Sequence, residues 1–349
     1  MQGKPMMRAV QKVHAGPGIE LVDVSIPELT SPNDVLVRVS AAGICGSDLH
    51  VDDWTPSYGF IAPSLPVTLG HEFVGVVQSG FLLGKRVVVR PSVTCGQCPA
   101  CEAGRYDDCE RRTGIGMTRD GAFAPWVIVP LRNCVQVPDT LSDELAALAE
   151  PVSIAMQAIR VAGDLRGLRV LVMGPGTIGQ GIAALARHAG AAQVIVSGFN
   201  DEVRLDALRQ MGFHTVVDVA DESLADATRK FTHGEPFDVV FEATGVPETI
   251  THALDLLRRN GIVIVTGIHS RALSVDLTTL VRRQQQLRGS FRPPESDWQE
   301  ALSWIDKLGD VLAPMVSHVL PLSRAMEGFA LAHGKQASKV LLRPETVDA

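Results

Sequence analysis

Apolar residues follow two different patterns along the chain. In residues 34–40, three valines alternate with Leu36, Arg38 and Ser40, and this period of two predicts a β-strand. Residues 86–90 form another valine-rich run, and glycines and prolines interrupt the sequence around both segments. The first half of the chain is therefore predicted to be mostly β, with the short strands and loops of a barrel-like domain.

The pattern changes from about Leu168 onward, where short apolar segments alternate with stretches of helical length. Strands that alternate with helices predict a parallel, doubly wound sheet. Pro247 before residues 248–259 and Gly261 after them predict one of those helices. The predicted strands are 170–173, 194–197, 215–219, 238–243 and 262–268.

Length and composition narrow the class of protein. A chain of 349 residues favours two domains, and 46% hydrophobic with 20% charged residues is enough to fold around a core. The net charge of −7 gives no basic surface for nucleic acid or an anionic membrane. Because the sequence shows neither a signal-peptide pattern nor the ~20 apolar residues of a membrane span, a cytoplasmic location is expected.

The cysteines add candidate chemistry. Cys95, Cys98, Cys101 and Cys109 lie within one short loop. Such spacing favours four thiolate ligands of a closed tetrahedral zinc site over a disulfide framework. Four thiolates leave no position for a substrate, so this metal is expected to fold the lobe without taking part in chemistry. Cys134, outside this group, is expected to be a buried core thiol.

A glycine-rich turn follows the first strand of the second half. Gly174, Gly176 and Gly179 form Gly-x-Gly-x-x-Gly, with Thr177 and Ile178 between the last two, directly before an alanine-rich helix. The glycines allow a tight turn, a close approach of backbone to pyrophosphate and the packing of helix on strand. The segment predicts a dinucleotide site, although the same glycines would also suit a tight turn without a ligand.

The choice between NAD and NADP depends on the end of the next strand. An acidic residue there would hold the ribose hydroxyls of NAD, but the sequence has Ser197, Gly198 and Phe199. Asp201 follows and could supply the carboxylate, whereas Arg204 could bind the 2'-phosphate of NADP. The balance favours NAD and leaves NADP open, and both residues would also suit an exposed helix start.

A second set of possible metal ligands is dispersed along the chain. Cys45, His71, Glu72 and Glu150 offer one thiolate, one imidazole and two carboxylates. Three protein ligands, with one position left for water or alcohol, are what a catalytic zinc site needs. Spacing alone leaves the alternative that these residues are structural, with His71 in a core and Glu72 on the surface.

Together these motifs resemble a known family. The strings GICGSDLH, GHEFVGVV, AEPVSIA and GPGTIG, with the four-cysteine lobe, are similar in order and spacing to the zinc-containing medium-chain dehydrogenases of the sorbitol and threonine dehydrogenase branch. The resemblance spans nearly the whole chain. It implies an α/β fold: a GroES-like β-barrel catalytic domain (1–155), a Rossmann domain (156–291) and a return segment that completes the catalytic domain (292–349). The site would lie in the cleft between the domains.

The resemblance also implies roles for single residues. Ser47 would take the alcohol proton and His50 would pass it outward, while Arg292 would contact the substrate. The four cysteines of the lobe would hold the structural zinc. The implied ligands of the catalytic zinc are Cys45, His71, Glu72 and, either directly or through the bound water, Glu150.

The expected activity is hydride transfer between a secondary alcohol, in the first place a polyol, and NAD(P). An L-threonine or other amino-alcohol dehydrogenase shares every motif above. A zinc-free reductase would not need this ligand set, and a protein that holds zinc without catalysis is the alternative from another class. The strand predicted at 287–291 would leave an exposed sheet edge for a second copy, so a homodimer or homotetramer is expected.

Overall fold

The computed structural model describes residues 4–345, so the outermost residues of the expected first and third domains, 1–3 and 346–349, lie outside it. The helices are α1 (Gly46–Asp52), α2 (Pro99–Glu102), α3 (Asp143–Ala146), α4 (Ala149–Ala162), α5 (Thr177–His188), α6 (Glu202–Gln210), α7 (Leu224–Thr232), α8 (Pro247–Leu256), α9 (Leu277–Arg283), α10 (Asp297–Leu312) and α11 (Ala325–His333). The strands are β1 (Met6–Lys12), β2 (Glu20–Ser25), β3 (Asp34–Gly43), β4 (Val67–Thr68), β5 (Glu72–Val77), β6 (Arg86–Val89), β7 (Ser92–Val93), β8 (Thr113–Gly114), β9 (Trp126–Pro130), β10 (Cys134–Gln136), β11 (Arg169–Met173), β12 (Gln193–Gly198), β13 (Val216–Asp218), β14 (Phe237–Glu242), β15 (Leu257–Val265), β16 (Gln286–Gly289), β17 (Val316–Pro321) and β18 (Lys339–Arg343).

The chain divides into two compact units. The described parts of Met1–Glu150, Pro294–Lys307 and His318–Ala349 form the first unit, and Pro151–Pro293 with Leu308–Ser317 form the second. The expected return segment 292–349 is therefore shared. Its residues 308–317 group with the second unit because the helical turn Ala313–Met315 packs against α6.

The first unit is built on a sheet with the strand order β10-β6-β5-β3-β18-β17, in which β9 also pairs with β3. As the alternating valines predict, β3 buries Val35, Val37 and Val39, and these side chains join one apolar core. β3 pairs antiparallel with β5, β9 and β18. The central strand of the unit therefore touches three neighbours, and residues at its end meet the ends of two of them.

The second unit confirms the predicted parallel, doubly wound sheet. Its strand order is β13-β12-β11-β14-β15-β16, and every neighbouring pair is parallel. From β11 the chain fills one side of the sheet outward to β13, and from β14 it fills the other side outward to β16. The strand order therefore reverses between β11 and β14, where such sheets bind ligands outside the carboxyl ends of their strands.

The predicted bounds of one helix and of the strand after it are wrong, since β15 covers Leu257–Val265 where a strand over 262–268 is expected. The helix expected over 248–259 ends at Leu256, and the following residues already belong to β15. Leu257 is fully buried and lies opposite Phe237 of β14, so pairing within the sheet outweighs continuation of the helix. Within residues 4–345, no helix is long and apolar enough to cross a membrane.

Candidate active site

Three strand ends meet at the site in the first unit. Gly43, the last residue of β3, lies opposite Glu72 of β5 and opposite Leu341 of β18. The antiparallel registers therefore bring Cys45, two residues past β3, close to the starts of both neighbouring strands. The Cys45 thiol, one ring nitrogen of His71 and one carboxylate oxygen of Glu72 lie within 4.8 Å of one another.

Helix α1 supplies the groups around His71. Asp48 Oδ2 accepts a 2.8 Å hydrogen bond from the backbone N–H of Cys45, which fixes the first turn of the helix. Asp48 Oδ1 lies 3.6 Å from His71 Nδ1, and Ser47 Oγ lies 3.2 Å from His71 Nε2. Burial lowers the pKa of His71, but the Asp48 carboxylate and the Cys45 thiol together outweigh it, so the pKa ends well above its ordinary value.

A buried ion pair orients Glu72. Lys339, the first residue of β18, donates to Glu72 Oε2 at 2.6 Å and to the carbonyl of Ile44 at 2.9 Å. Both members of the pair are almost fully buried. Glu72 Oε1 has no hydrogen-bond partner within the described chain. One carboxylate oxygen is thus fixed by the lysine, while the other remains available to a ligand.

Glu150 lies near this cluster but is not one of its donors. It stands in the first turn of α4, and the group of donor atoms within 4.8 Å does not include it. Burial raises the pKa of Glu150 to about 7, and the Glu72 charge adds to the rise. The Glu72 charge therefore acts on the Glu150 carboxyl in this structure.

His50, on the helix that Cys45 caps, has an aromatic neighbour. Its imidazole stacks on the ring of Tyr58, with ring centroids 5.5 Å apart and planes at 14°. Burial lowers the pKa of His50, while the charges of Asp53 and His333 act in opposite directions. The imidazole is therefore neutral at pH 7 and can accept a proton.

The four-cysteine lobe forms a separate cluster. The thiols of Cys95, Cys98, Cys101 and Cys109 lie within 4.8 Å of one another, and none forms a disulfide. A hydrogen bond from the Gln97 backbone lowers the pKa of Cys95 to about 6. Burial raises that of Cys101 to about 11, and the other thiols add to the rise. Four thiolates this close repel one another unless a cation joins them.

The glycine-rich turn lies between β11 and α5 in the second unit. Gly174 has a φ of +107°, which side chains rarely adopt, and a Cβ on Gly179 would lie 1.9 Å from the Gly174 carbonyl oxygen. Gly176, the N-cap of α5, has open space where a Cβ would point. Thr177 and Ile178 begin the helix and are partly exposed. Two glycines thus close the turn, and the third leaves room above the helix N-terminus for a phosphate.

The two residues expected to select between NAD and NADP contact each other. Asp201 is the N-cap of α6 and is almost fully buried. Its Oδ2 accepts a 3.1 Å hydrogen bond from Arg204 Nη1 in an ion pair. The carboxylate and the guanidinium therefore neutralise each other near the end of β12.

Comparison with known proteins identifies the family. Residues 31–139 match the model of the alcohol dehydrogenase GroES-like domain, and residues 177–307 match that of the zinc-binding dehydrogenases. An L-threonine 3-dehydrogenase of Idiomarina loihiensis is 35% identical over 96% of this chain and 99% of its own length. The chain belongs to the zinc-binding dehydrogenases.

Solved structures support the assignment of this chain to the zinc-binding dehydrogenases. A protein of Sinorhizobium meliloti 1021 described as a zinc-binding dehydrogenase bound to NADP is 31% identical and covers 98% of this chain and 100% of its own, with a TM-score of 0.87. L-Idonate 5-dehydrogenase of Escherichia coli is 28% identical, with coverage of 97% and 98% and a TM-score of 0.83. The expected combination of a GroES-like domain and a Rossmann domain is confirmed.

The charges of the dehydrogenase site fit a divalent cation. Asp48, Glu72 and Glu150 are acidic and Cys45 carries a thiol, whereas Lys339 supplies a single permanent positive charge. Burial raises the pKa of Cys45, and the Glu72 charge raises it further. Buried acidic groups this close are costly unless a cation offsets them. A sulfur, a nitrogen and an oxygen donor together suit zinc.

Some groups around the dehydrogenase sites are not predicted from the sequence. Lys339 and Asp48 orient Glu72 and His71. Lys339 lies outside the motifs, and Asp48 lies in GICGSDLH without being one of the implied ligands. Glu242, fully buried at the end of β14, accepts hydrogen bonds from the backbone N–H groups of Thr244 and Gly245 at 2.7 and 3.0 Å. A glutamate directly after an apolar strand is the only signal that the sequence offers for it.

Arg292 remains a prediction as a substrate contact. It is exposed in the second unit and has a φ of +47°. Its guanidinium lies 4.4 Å from the centre of the Phe291 ring. The dehydrogenase thus holds this arginine by a cation–π contact with its own neighbour.

Proposed function

We propose that this dehydrogenase oxidises the secondary alcohol of L-threonine, or of a closely related 3-hydroxy amino acid, to a ketone with NAD(P). The observation that carries the proposal is the cluster of Cys45, His71 and Glu72. It offers three donors to one ion, in a chain that resembles an L-threonine 3-dehydrogenase over 96% of its length. Three ligands leave a tetrahedral ion one position for a substrate oxygen.

Cys45, His71 and Glu72 would hold the catalytic zinc, and the four cysteines of the lobe would hold the structural one. Bound zinc supplies Lewis-acid stabilisation of negative charge on the alcohol oxygen, and bound NAD(P) supplies the hydride acceptor. Asp48 keeps Nδ1 of His71 directed at a carboxylate, which leaves Nε2 for the ion. Lys339 similarly leaves Glu72 Oε1 for it.

Ser47 and His50 move the proton in this proposal. They are three residues apart on α1 and therefore lie on one face of the helix. The Ser47 hydroxyl, close to His71 Nε2, takes the proton from the alcohol oxygen and donates its own proton onward. His50, held neutral by burial, accepts it.

The dinucleotide would bind at the carboxyl ends of β11 and β14. Gly174, Gly176, Thr177, Ile178 and Gly179 would place backbone N–H groups and the positive end of α5 against the pyrophosphate. Asp201 and Arg204 would lie beside the adenosine ribose. Because they form an ion pair, each offsets the preference of the other for NADP or NAD.

A polyol or sugar-acid alcohol is the second candidate substrate, since L-idonate 5-dehydrogenase resembles the chain over 97% of its length. Initial rates with NAD and with NADP, measured on L-threonine, L-idonate, sorbitol and 2,3-butanediol, test both. We expect L-threonine to give the highest kcat/KM, activity to disappear on chelation, and added zinc to restore it. Higher kcat/KM on a polyol would replace the substrate, and turnover that survives complete zinc removal would overturn the mechanism.

We also propose that two copies associate through the edge of the parallel sheet. Every residue of β16 is exposed, and β16 is the edge strand. Leu277 and Val281, one turn apart on α9, are two-thirds exposed. An exposed edge strand and exposed apolar side chains on the helix before it favour pairing with a second copy. Sedimentation should show a dimer or tetramer, and a monomer at micromolar concentration would exclude this interface.

A further inference from the structure

Tyr58 contacts one proposed member of the proton relay, His50, but belongs to none of the motifs. It lies in the 3-10 helical segment Pro56–Ser64, which follows α1. Its ring stacks on the His50 imidazole, with centroids 5.5 Å apart and planes at 14°. A side chain from outside α1 thus covers the final proton acceptor of the relay.

The backbone holds Tyr58 in this position. The N–H of Tyr58 donates to the carbonyl of Thr55 at 2.9 Å, and the N–H of Thr55 donates to the carbonyl of His50 at 3.0 Å. The Tyr58 side chain also packs against the apolar core of the first unit. The segment is therefore anchored to the end of α1, so the ring is fixed with respect to the imidazole that it covers.

We propose that Tyr58 is a positioning residue for proton transfer, in which its ring holds the His50 imidazole in place. This inference rests on the proposed function, because it assumes that Ser47 and His50 carry the alcohol proton. Without the ring, the His50 side chain gains rotameric freedom, and proton transfer loses the alignment on which its rate depends.

The hydroxyl of Tyr58 acts as a neutral group. Burial raises the pKa of Tyr58 to about 12, and nearby Cys45 adds to the rise. The phenol therefore stays protonated throughout the pH range of an activity assay, so Tyr58 adds no charge beside the His50 imidazole.

Two substitutions separate the ring from the hydroxyl. Tyr58→Phe keeps the stack and removes the hydroxyl, whereas Tyr58→Leu removes both. Phe60→Leu is the matched control, because Phe60 lies in the same segment with its ring centroid 6.0 Å from that of Tyr58 and is 60% exposed. Each variant is assayed as the full-length zinc-loaded enzyme with L-threonine and NAD, and its zinc content and Tm are recorded.

We expect kcat to stay within about twofold of wild type in Tyr58→Phe, which keeps the stack, and to fall about 100-fold in Tyr58→Leu, within the range of general acid–base contributions. Dinucleotide affinity and zinc content should not change. Imidazole added to the assay should restore part of kcat in Tyr58→Leu and should leave Phe60→Leu unaffected. A substitution that only damaged the fold would not respond to an added base.

The pKa of His50 provides a readout that does not need turnover. The groups that face the His50 imidazole are Asp53, His333 and Tyr58. His333 Nε2 in turn forms a 3.0 Å hydrogen bond with Asp52 Oδ2. Removing the ring leaves the charged groups in place and admits water, so the pKa should rise toward ~6.5 in Tyr58→Leu. Titration of the histidine ring protons by NMR measures it in each variant.

The outcomes distinguish this inference from the proposed function. If the wild-type enzyme turns over but Tyr58→Leu matches Phe60→Leu within twofold, Tyr58 has no positioning role. If the wild-type enzyme oxidises no alcohol with either dinucleotide, the proposed function fails and takes the relay role of Tyr58 with it. An unchanged His50 pKa in Tyr58→Leu would overturn the stacking contact itself, with or without turnover.

Discussion

The two cysteine-containing clusters of the first unit are assembled in opposite ways. The four-cysteine lobe takes all its donors from a segment in which Cys95 and Cys109 are 14 residues apart. The other cluster takes Cys45 from the end of β3 and His71 and Glu72 from the start of β5. The first depends on local sequence alone, whereas the second depends on the register of a sheet.

The two clusters also differ in the chemistry of their donor atoms. Four thiols can satisfy a tetrahedral ion completely, but one thiol, one imidazole and one carboxylate leave a position open. Asp48 and Lys339, which orient His71 and Glu72, are buried and charged. In the four-cysteine lobe, backbone N–H groups hydrogen-bond the thiols, so a comparable shell of charged side chains is not needed there. The difference predicts that the same kind of substitution has different consequences in the two clusters.

The largest expected effect is on turnover. Cys45→Ser should lower kcat/KM by about 10³-fold or more, because charge stabilisation by the metal is worth several kcal/mol. The fold should persist, since the sheet that carries Cys45 is held by its own core. Zinc content should fall by one ion per chain while Tm changes little. If Cys45→Ser keeps wild-type activity, Cys45 is not a ligand of the catalytic ion.

The same substitution in the lobe should affect stability instead. Cys98→Ser removes one of four donors from a site whose metal binding contributes to folding, so Tm should fall by on the order of 10 °C. The activity that remains at low temperature should be close to wild type per folded molecule. Equal Tm values for Cys98→Ser and wild type, measured by calorimetry, would mean that the lobe folds without its metal.

The same difference between local and long-range contacts separates what could be predicted from the sequence from what could not. The lobe, the glycine-rich turn and the alternation of β3 are local patterns, and a short window of sequence contains all that defines them. The doubly wound sheet follows from the order of such windows. Long-range pairing is different: Lys339 and Glu72 are 267 residues apart, and no periodicity connects them.

The helix predicted over 248–259 fails for a related reason. Proline and glycine mark where a helix can begin and end, but the burial of Leu257 beside Phe237 is a tertiary contact. The roles of Asp201 and Arg204 also depend on geometry, because their mutual ion pair cannot be inferred from a spacing of three residues. Local signals thus identify the parts of a site, and packing decides which of them meet.

The next largest effect is expected for the buried ion pair of Lys339 and Glu72. Lys339→Met leaves the Glu72 carboxylate buried without its partner, which typically costs about 3–5 kcal/mol. The free energy of unfolding, from urea titration of the metal-free protein, should fall by that amount. The double variant Lys339→Met with Glu72→Gln should recover part of the stability. If the two substitutions are additive in this cycle, the lysine and the glutamate do not interact.

The smallest expected effect comes from Cys134, a cysteine outside both clusters, and it provides the baseline for the comparison. Burial raises the pKa of its thiol to about 12. As the pH rises from 7 to 9 the thiol stays protonated, and only about one molecule in a thousand carries the thiolate at pH 9. Because alkylation requires the thiolate, iodoacetamide should leave Cys134 unlabelled in the folded protein across this range.

Labelling with and without a chelator then compares all six cysteines in one experiment. Chelation should expose the lobe thiols first, above all Cys95, whose pKa of about 6 makes it a thiolate at neutral pH. Cys45 should react more slowly after metal loss, because burial and the Glu72 charge raise its pKa. Mass spectrometry of the peptides gives the order. If Cys134 is labelled as fast as Cys95, the protein has unfolded under the chelator, and the contrast between a structural and a catalytic ion must be tested by substitution alone.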